Sequence, residues 1–165
     1  MSDISILLVT GSFVPPSVYD TVVDAVQAKG LQVRALHSPT VGLAPRQGRE
    51  GAAPTMYDDA AFIGEEIDKL ADQGKRVILI AHSYGGIPAT QSVRGRSLTD
   101  RRQQGKRGGI ARLAYMTALV PEIGHSAIDV LADVPPEGQT QMETDVREPF
   151  DTGGCLAHLT GLTSV

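Results

Sequence analysis

The stretch VILIAHSYGG, from Val77 to Gly86, constrains the fold more than any other part of the chain. A short, continuous aliphatic run of this kind predicts a strand buried on both faces, as in a parallel sheet. The run stops at Ala81. The glycines that follow, with Pro88 close behind, predict a helix opening just after Ser83, because proline is tolerated in a first turn whose N–H has no partner anyway. Ser83 therefore stands at the tip of a strand-to-helix turn. Ala81-His82-Ser83-Tyr84-Gly85 fits the pattern G-x-S-x-G, with alanine in the first glycine's place. The spacing is steric: side chains two residues either side of such a serine would collide with the adjoining strand and helix. The turn thrusts the hydroxyl above the C-terminal edge of the sheet, beside the free N–H groups of a helix start.

The remaining chain supplies the other layers of such a fold. Ile4–Gly11 is a second buried-strand run closed by glycine. SVYDTVVDAVQAKG places Val18, Val22, Val23 and Val26 on one helical face, and LQVRAL alternates like a strand near a sheet edge. Residues 38–55 carry Pro39, Pro45 and Pro54 and predict a long loop. YDDAAFIGEEIDKLADQG predicts an amphipathic helix with Ile63, Ile67 and Leu70 in one stripe. The polar stretch SLTDRRQQGKRGG, rich in arginine, reads as a solvated loop or short helix. Ile110–Val120 reads as a further strand, with a short helix near residues 126–133. Alternating strands and helices predict the α/β class: a doubly wound parallel sheet with helices on both faces and right-handed crossovers. Residues 1–120 form its core in this reading. Residues 121–165 form the start of a cap and a weakly patterned tail.

Composition narrows the function. The 165 residues carry a net charge of −4, which argues against nucleic acid as the main partner. The apolar runs are too short to span a membrane, and the N-terminus lacks a basic leader. Cys155 is the single cysteine, so no internal disulfide forms and a reduced, cytoplasmic setting is expected. The histidines and the cysteine show no metal-ligand spacing, and no cofactor is implied.

A serine at such a turn suits acyl transfer. That chemistry needs two N–H donors at the developing oxyanion, each worth roughly 2.7–4 kcal/mol. The Tyr84 backbone N–H, next after the nucleophile, is one candidate. The Ser12 N–H, in the loop after the first strand, is the other, with Gly11 letting the chain turn. Serine also needs a base. His37 and His82 precede it in sequence, and His125 lies in the expected cap. Asp151 and His158 follow in the order Ser, acid, His. Six residues separate those two, where an acid and a base on separate loops need roughly 20.

These residues resemble the α/β-hydrolase superfamily, in a fungal branch related to the plant methylesterases and hydroxynitrile lyases. The matching pieces are ILLVTGSFVPPSVYDTVVDAVQAKGLQVRALHSPTVG, YDDAAFIGEEIDKLADQGKRVILIAHSYGG and LTDRRQQGKRGGIARLAYMTALVPEIG, over roughly residues 4–138. The resemblance implies Ser83 as nucleophile and the amides of Ser12 and Tyr84 as oxyanion donors. Thr10-Gly11 stands where that family has His-Gly, which changes side-chain contacts but not the backbone donor. The family's acid and histidine lie beyond two further strands, so the chain looks C-terminally truncated. The last strand is then an exposed edge open to self-association. The expected function is hydrolysis of a small carboxylic ester by Ser83, with the activity of the isolated chain left open because it shows no convincing acid and histidine pair. The alternatives are a non-catalytic binding module and a lyase on the same scaffold.

Overall fold

A computed structural model describes residues 3–44, 47–125 and 127–132. Four strands, β1 (Ile4–Val9), β2 (Gln32–Leu36), β3 (Arg76–His82) and β4 (Gly109–Met116), alternate with helices α1 (Asp20–Gln27), α2 (Met56–Asp72), α3 (Gly86–Ser92) and α4 (Leu98–Gln103). Short 3-10 turns at Pro16–Tyr19 and Ser83–Gly85 precede α1 and α3. These elements belong to a compact unit ending at Leu119. A second unit starts at Val120 and carries α5 (Ala127–Ala132).

All strand pairs are parallel, in the order β2-β1-β3-β4. The chain steps from β1 outward to β2, then returns past β1 to β3. With right-handed crossovers this reversal places α1 on one face and α2 and α3 on the other. It also opens a crevice between the C-terminal ends of β1 and β3, where open α/β sheets bind ligands.

Helix α2 begins at a capping box. The Thr55 hydroxyl accepts the Asp58 N–H, and the Asp58 carboxylate accepts the Thr55 N–H at 2.6 Å. Ile63 and Ile67, four residues apart, are fully buried against Leu7 and Val9 of β1 and Val77, Leu79 and Ala81 of β3. Burying each isoleucine stabilises the fold by about 1.5–3 kcal/mol. The register pairs Ile6 with Ile78 and Leu8 with Ile80, so these four side chains share the opposite face. That face is less enclosed, and Ile78 and Ile80 are only half-buried.

Three segments differ from the sequence expectation. The Val18 stripe is interrupted: Pro15 and Pro16 start the segment as a 3-10 turn, and only Asp20–Gln27 is α-helical. Val23 and Val26 are half-buried, while Val18 and Val22 are exposed. Strand β4 ends at Met116 rather than Val120, because Thr117 takes a positive φ of 43° and turns the chain. The basic stretch is not merely solvated. Arg101 of α4 is buried and pairs with Asp68 at 3.2 Å and Asp72 at 2.5 Å, while Arg96 pairs with Asp68 at 2.9 Å. These ion pairs fasten α4 and the segment before it to α2. The outer edge of β4 pairs with no strand among the described residues.

Candidate active site

Ser83 ends the β3 run in the conformation a sharp elbow requires. Its φ is +53°, in the left-handed region that non-glycine residues rarely enter. Such strain costs of order 1–3 kcal/mol and persists only where the surroundings enforce it. Here they do. The Leu119 N–H donates to the Ser83 carbonyl at 2.9 Å. Gly85 lies against β1, where a Cβ would come 2.6 Å from the Thr10 oxygen and 2.9 Å from Val9. Ala81 is fully buried. The small residues flanking the serine are thus dictated by neighbours on both sides. Ser83 itself is half-buried and reachable.

The loop after β1 meets this elbow. A Cβ on Gly11 would lie 3.2 Å from the Ser83 Cβ and 3.6 Å from its Oγ, so glycine allows the approach. Residues Gly11 to Val14 close a turn, with Val14 N–H donating to the Gly11 carbonyl at 3.3 Å and Phe13 at φ +59°. A positive φ at the third position is the mark of a type II turn. Ser12 occupies the second position, where the turn makes no use of its amide. The Ser12 amide lies in the loop and the Tyr84 amide in the first turn of the helix, where N–H groups have no partner within the helix. Ser12, Ser83 and Tyr84 are thereby gathered at the β1/β3 crevice.

Two polar networks support the site from beneath, and sequence reasoning missed both. In the first, the buried Asp59 carboxylate of α2 accepts the Thr40 N–H at 2.9 Å, the Thr40 hydroxyl at 2.6 Å and the Tyr84 hydroxyl at 3.1 Å. Burial, and then the adjacent Asp59 charge, raise the Tyr84 phenol well above its ordinary range. A signal for Asp59 existed: it continues the Ile63–Ile67 stripe one turn earlier, an acid on an apolar face. In the second network, the Tyr19 hydroxyl accepts the Gly11 N–H at 3.2 Å and meets His82 Nδ1 at 2.7 Å. A signal for Tyr19 existed too: it stands three, four and seven residues before Val22, Val23 and Val26, an aromatic with a polar tip on the apolar stripe.

The histidines divide accordingly. The His82 ring shares the Gly11 approach with Ser83 but is held by Tyr19. His37 Nε2 donates to the Gly42 carbonyl at 2.8 Å. His125 is exposed. Asp151 and His158 lie outside the described residues. Among the described residues no group of histidine, cysteine and acidic side chains is arranged to hold a metal, and no helix is long and apolar enough to cross a membrane. A groove of about 720 Å³ beside β4 and α4 touches none of the site residues.

This geometry agrees with comparisons to known proteins. The model of the alpha/beta hydrolase family matches residues 6–159. The Phoma sp. (strain ATCC 20986 / MF5453) protein named Probable hydrolase R7 is 31% identical over 126 residues, covering 76% of this chain and 47% of that protein. Among solved structures, a pyrethroid hydrolase from Sphingobium faniae JZ-2 superposes with a TM-score of 0.61 at 22% identity, over 91% of this chain and 54% of that one. A polyneuridine aldehyde esterase mutant superposes with a TM-score of 0.57 at 18% identity, over 81% and 49%. The chain spans about half the length of the proteins it resembles. With a strained serine turn at the switch point of a parallel sheet and this family match over nearly its whole length, the chain belongs to the α/β-hydrolase family.

Proposed function

We propose that this chain carries the nucleophile and oxyanion donors of a serine hydrolase acting on a small carboxylic ester. One observation carries the reading: Gly11 brings the Ser12 loop into contact with Ser83 at a strained strand-to-helix turn, beside the Tyr84 amide in the helix's first turn. The Phoma relative is named a probable hydrolase and one structural neighbour an esterase, which supports the same class.

In this mechanism the Ser83 Oγ adds to the ester carbonyl carbon, and the carbonyl π pair moves onto oxygen. The Ser12 and Tyr84 N–H groups receive that oxyanion. The base, which the family resemblance places downstream of the described residues, takes the Ser83 proton and returns it to the departing alkoxide as the carbon–oxygen bond breaks. Water then adds to the acyl-serine, releases the acid and restores the hydroxyl. His82 is not assigned as the base, because its Nδ1 is bonded to Tyr19.

Mixing the full chain with a p-nitrophenyl acyl ester tests the proposal. The expected result is a burst of p-nitrophenol approaching one equivalent per chain, absent from Ser83→Ala. Folded chain that shows neither burst nor turnover would favour a binding module. Turnover unaffected by Ser83→Ala would remove the serine from the mechanism.

A further inference from the structure

We propose that Tyr19 is a positioning residue whose buried hydroxyl pins the loop after β1 to the elbow, and so sets where the Ser12 amide stands relative to Ser83. The proposal rests on the reading of Ser83 as nucleophile and of the Ser12 amide as oxyanion donor.

Tyr19 ends the 3-10 turn that follows Pro15 and Pro16, and its ring is buried. Its oxygen contacts two groups from different parts of the fold. The Gly11 N–H donates to it at 3.2 Å, and His82 Nδ1 lies 2.7 Å away. The phenol also packs edge-on against the imidazole, with centroids 5.8 Å apart and planes at 72°. Gly11 immediately precedes Ser12, and His82 immediately precedes Ser83. One oxygen therefore grips the residue before each half of the site.

The proton count explains why the residue is tyrosine. The hydroxyl accepts from the amide, and its single proton can go to His82 Nδ1 in the tautomer that carries the ring proton on Nε2. In that tautomer Nδ1 is withdrawn from exchange with Ser83. Phenylalanine would fill the same space but leave the buried Gly11 amide and Nδ1 without this partner. Oxyanion donors act only when held in register, and a displacement of about 1 Å at a reacting group costs on the order of 10²-fold in rate.

The test uses the full chain with Tyr19→Phe, and two further variants at position 82. His82→Asn keeps an acceptor oxygen near the place of Nδ1, and His82→Leu removes it. Two readouts are taken: hydrogen exchange of the Gly11 amide, and labelling of Ser83 by a fluorophosphonate at rising concentration. Expected for Tyr19→Phe is Gly11 exchange faster by about tenfold or more, with the saturating labelling rate lower by about 10- to 100-fold and the half-saturating concentration within about twofold of the parent. His82→Asn should keep near-parental labelling, while His82→Leu should reproduce the Tyr19→Phe loss. Should Tyr19→Phe fail to fold, the two His82 variants carry the test. Folded Tyr19→Phe with parental labelling, or with unchanged Gly11 exchange, would overturn the proposal. A parent chain that takes no label, while Gly11 exchange still responds to Tyr19→Phe, would overturn the nucleophile reading and leave Tyr19 a loop anchor without a catalytic consequence.

Discussion

The Tyr84 hydroxyl donates to the Asp59 carboxylate across 3.1 Å, so the residue next after the candidate nucleophile is tied by its side chain to helix α2. Asp59 is fully buried and also holds both polar groups of Thr40 at 2.9 and 2.6 Å. Removing the carboxylate strands three half-buried donors at once, whereas removing the phenol oxygen takes away one of them. Asp59→Ala is expected to cost about 3 kcal/mol or more, and Tyr84→Phe about 1.5–3 kcal/mol. Urea unfolding measures both. Equal losses would mean that Thr40 finds other partners.

The same contact makes stability depend on alkaline pH. Burial, and then Asp59, raise the Tyr84 phenol above its ordinary 10.0. Between that value and the raised one, the unfolded chain has lost the phenol proton and the folded chain keeps it. The contribution is therefore fully present below pH 10.0 and is lost as pH rises above it. Urea unfolding at pH about 9 and about 11 should show a smaller decline for Tyr84→Phe than for the parent. An equal decline would separate Tyr84 from the effect.

The α4 ion pairs make a prediction against intuition. Arg101 is buried, but its partner Asp68 is 36% exposed in its side chain and Asp72 is 67% exposed. Removing the acid leaves a buried guanidinium underpaired, whereas removing the arginine leaves carboxylates that water can reach. Asp68→Ala, which also unpairs Arg96, should cost about 3 kcal/mol, while Arg101→Met should stay within about 1 kcal/mol of the parent. Thermal unfolding of the two variants compares them directly. The reverse order would show that the guanidinium is hydrated.

Glycine replacements separate fold from site. At Gly85 a Cβ meets backbone at 2.6 Å, which cannot yield cheaply, so Gly85→Ala should lower the midpoint of urea unfolding substantially. At Gly11 the nearest atom is the Ser83 Cβ at 3.2 Å. Gly11→Ala should therefore leave most stability intact and slow attack by Ser83 about 10-fold or more, as a fluorophosphonate labelling time course would record. Parental labelling by Gly11→Ala would place the loop farther from the nucleophile.

Much of the scaffold is legible in the sequence, because its signals are local. The aliphatic runs at Ile4 and Val77 form parallel strands, and the Ile63–Ile67 stripe marks the face of α2 that meets them. The serine turn is legible for the same reason: Ser83 and its small neighbours are consecutive. The supporting networks are not local. Asp59 and Tyr84 are 25 residues apart, and Tyr19 and His82 are 63 apart, so only the folded sheet brings them together. The basic stretch misleads because charge alone does not reveal Asp68 and Asp72 waiting on α2. The valine stripe from Val18 overstates the helix because the two prolines impose a 3-10 start.

The most direct test of the central claim is mass-spectrometric mapping of the full chain after exposure to a fluorophosphonate. The account predicts a single adduct on Ser83, formed by the folded chain and missing from Ser83→Ala. A folded chain without an adduct, or one modified elsewhere with Ser83 untouched, would contradict it.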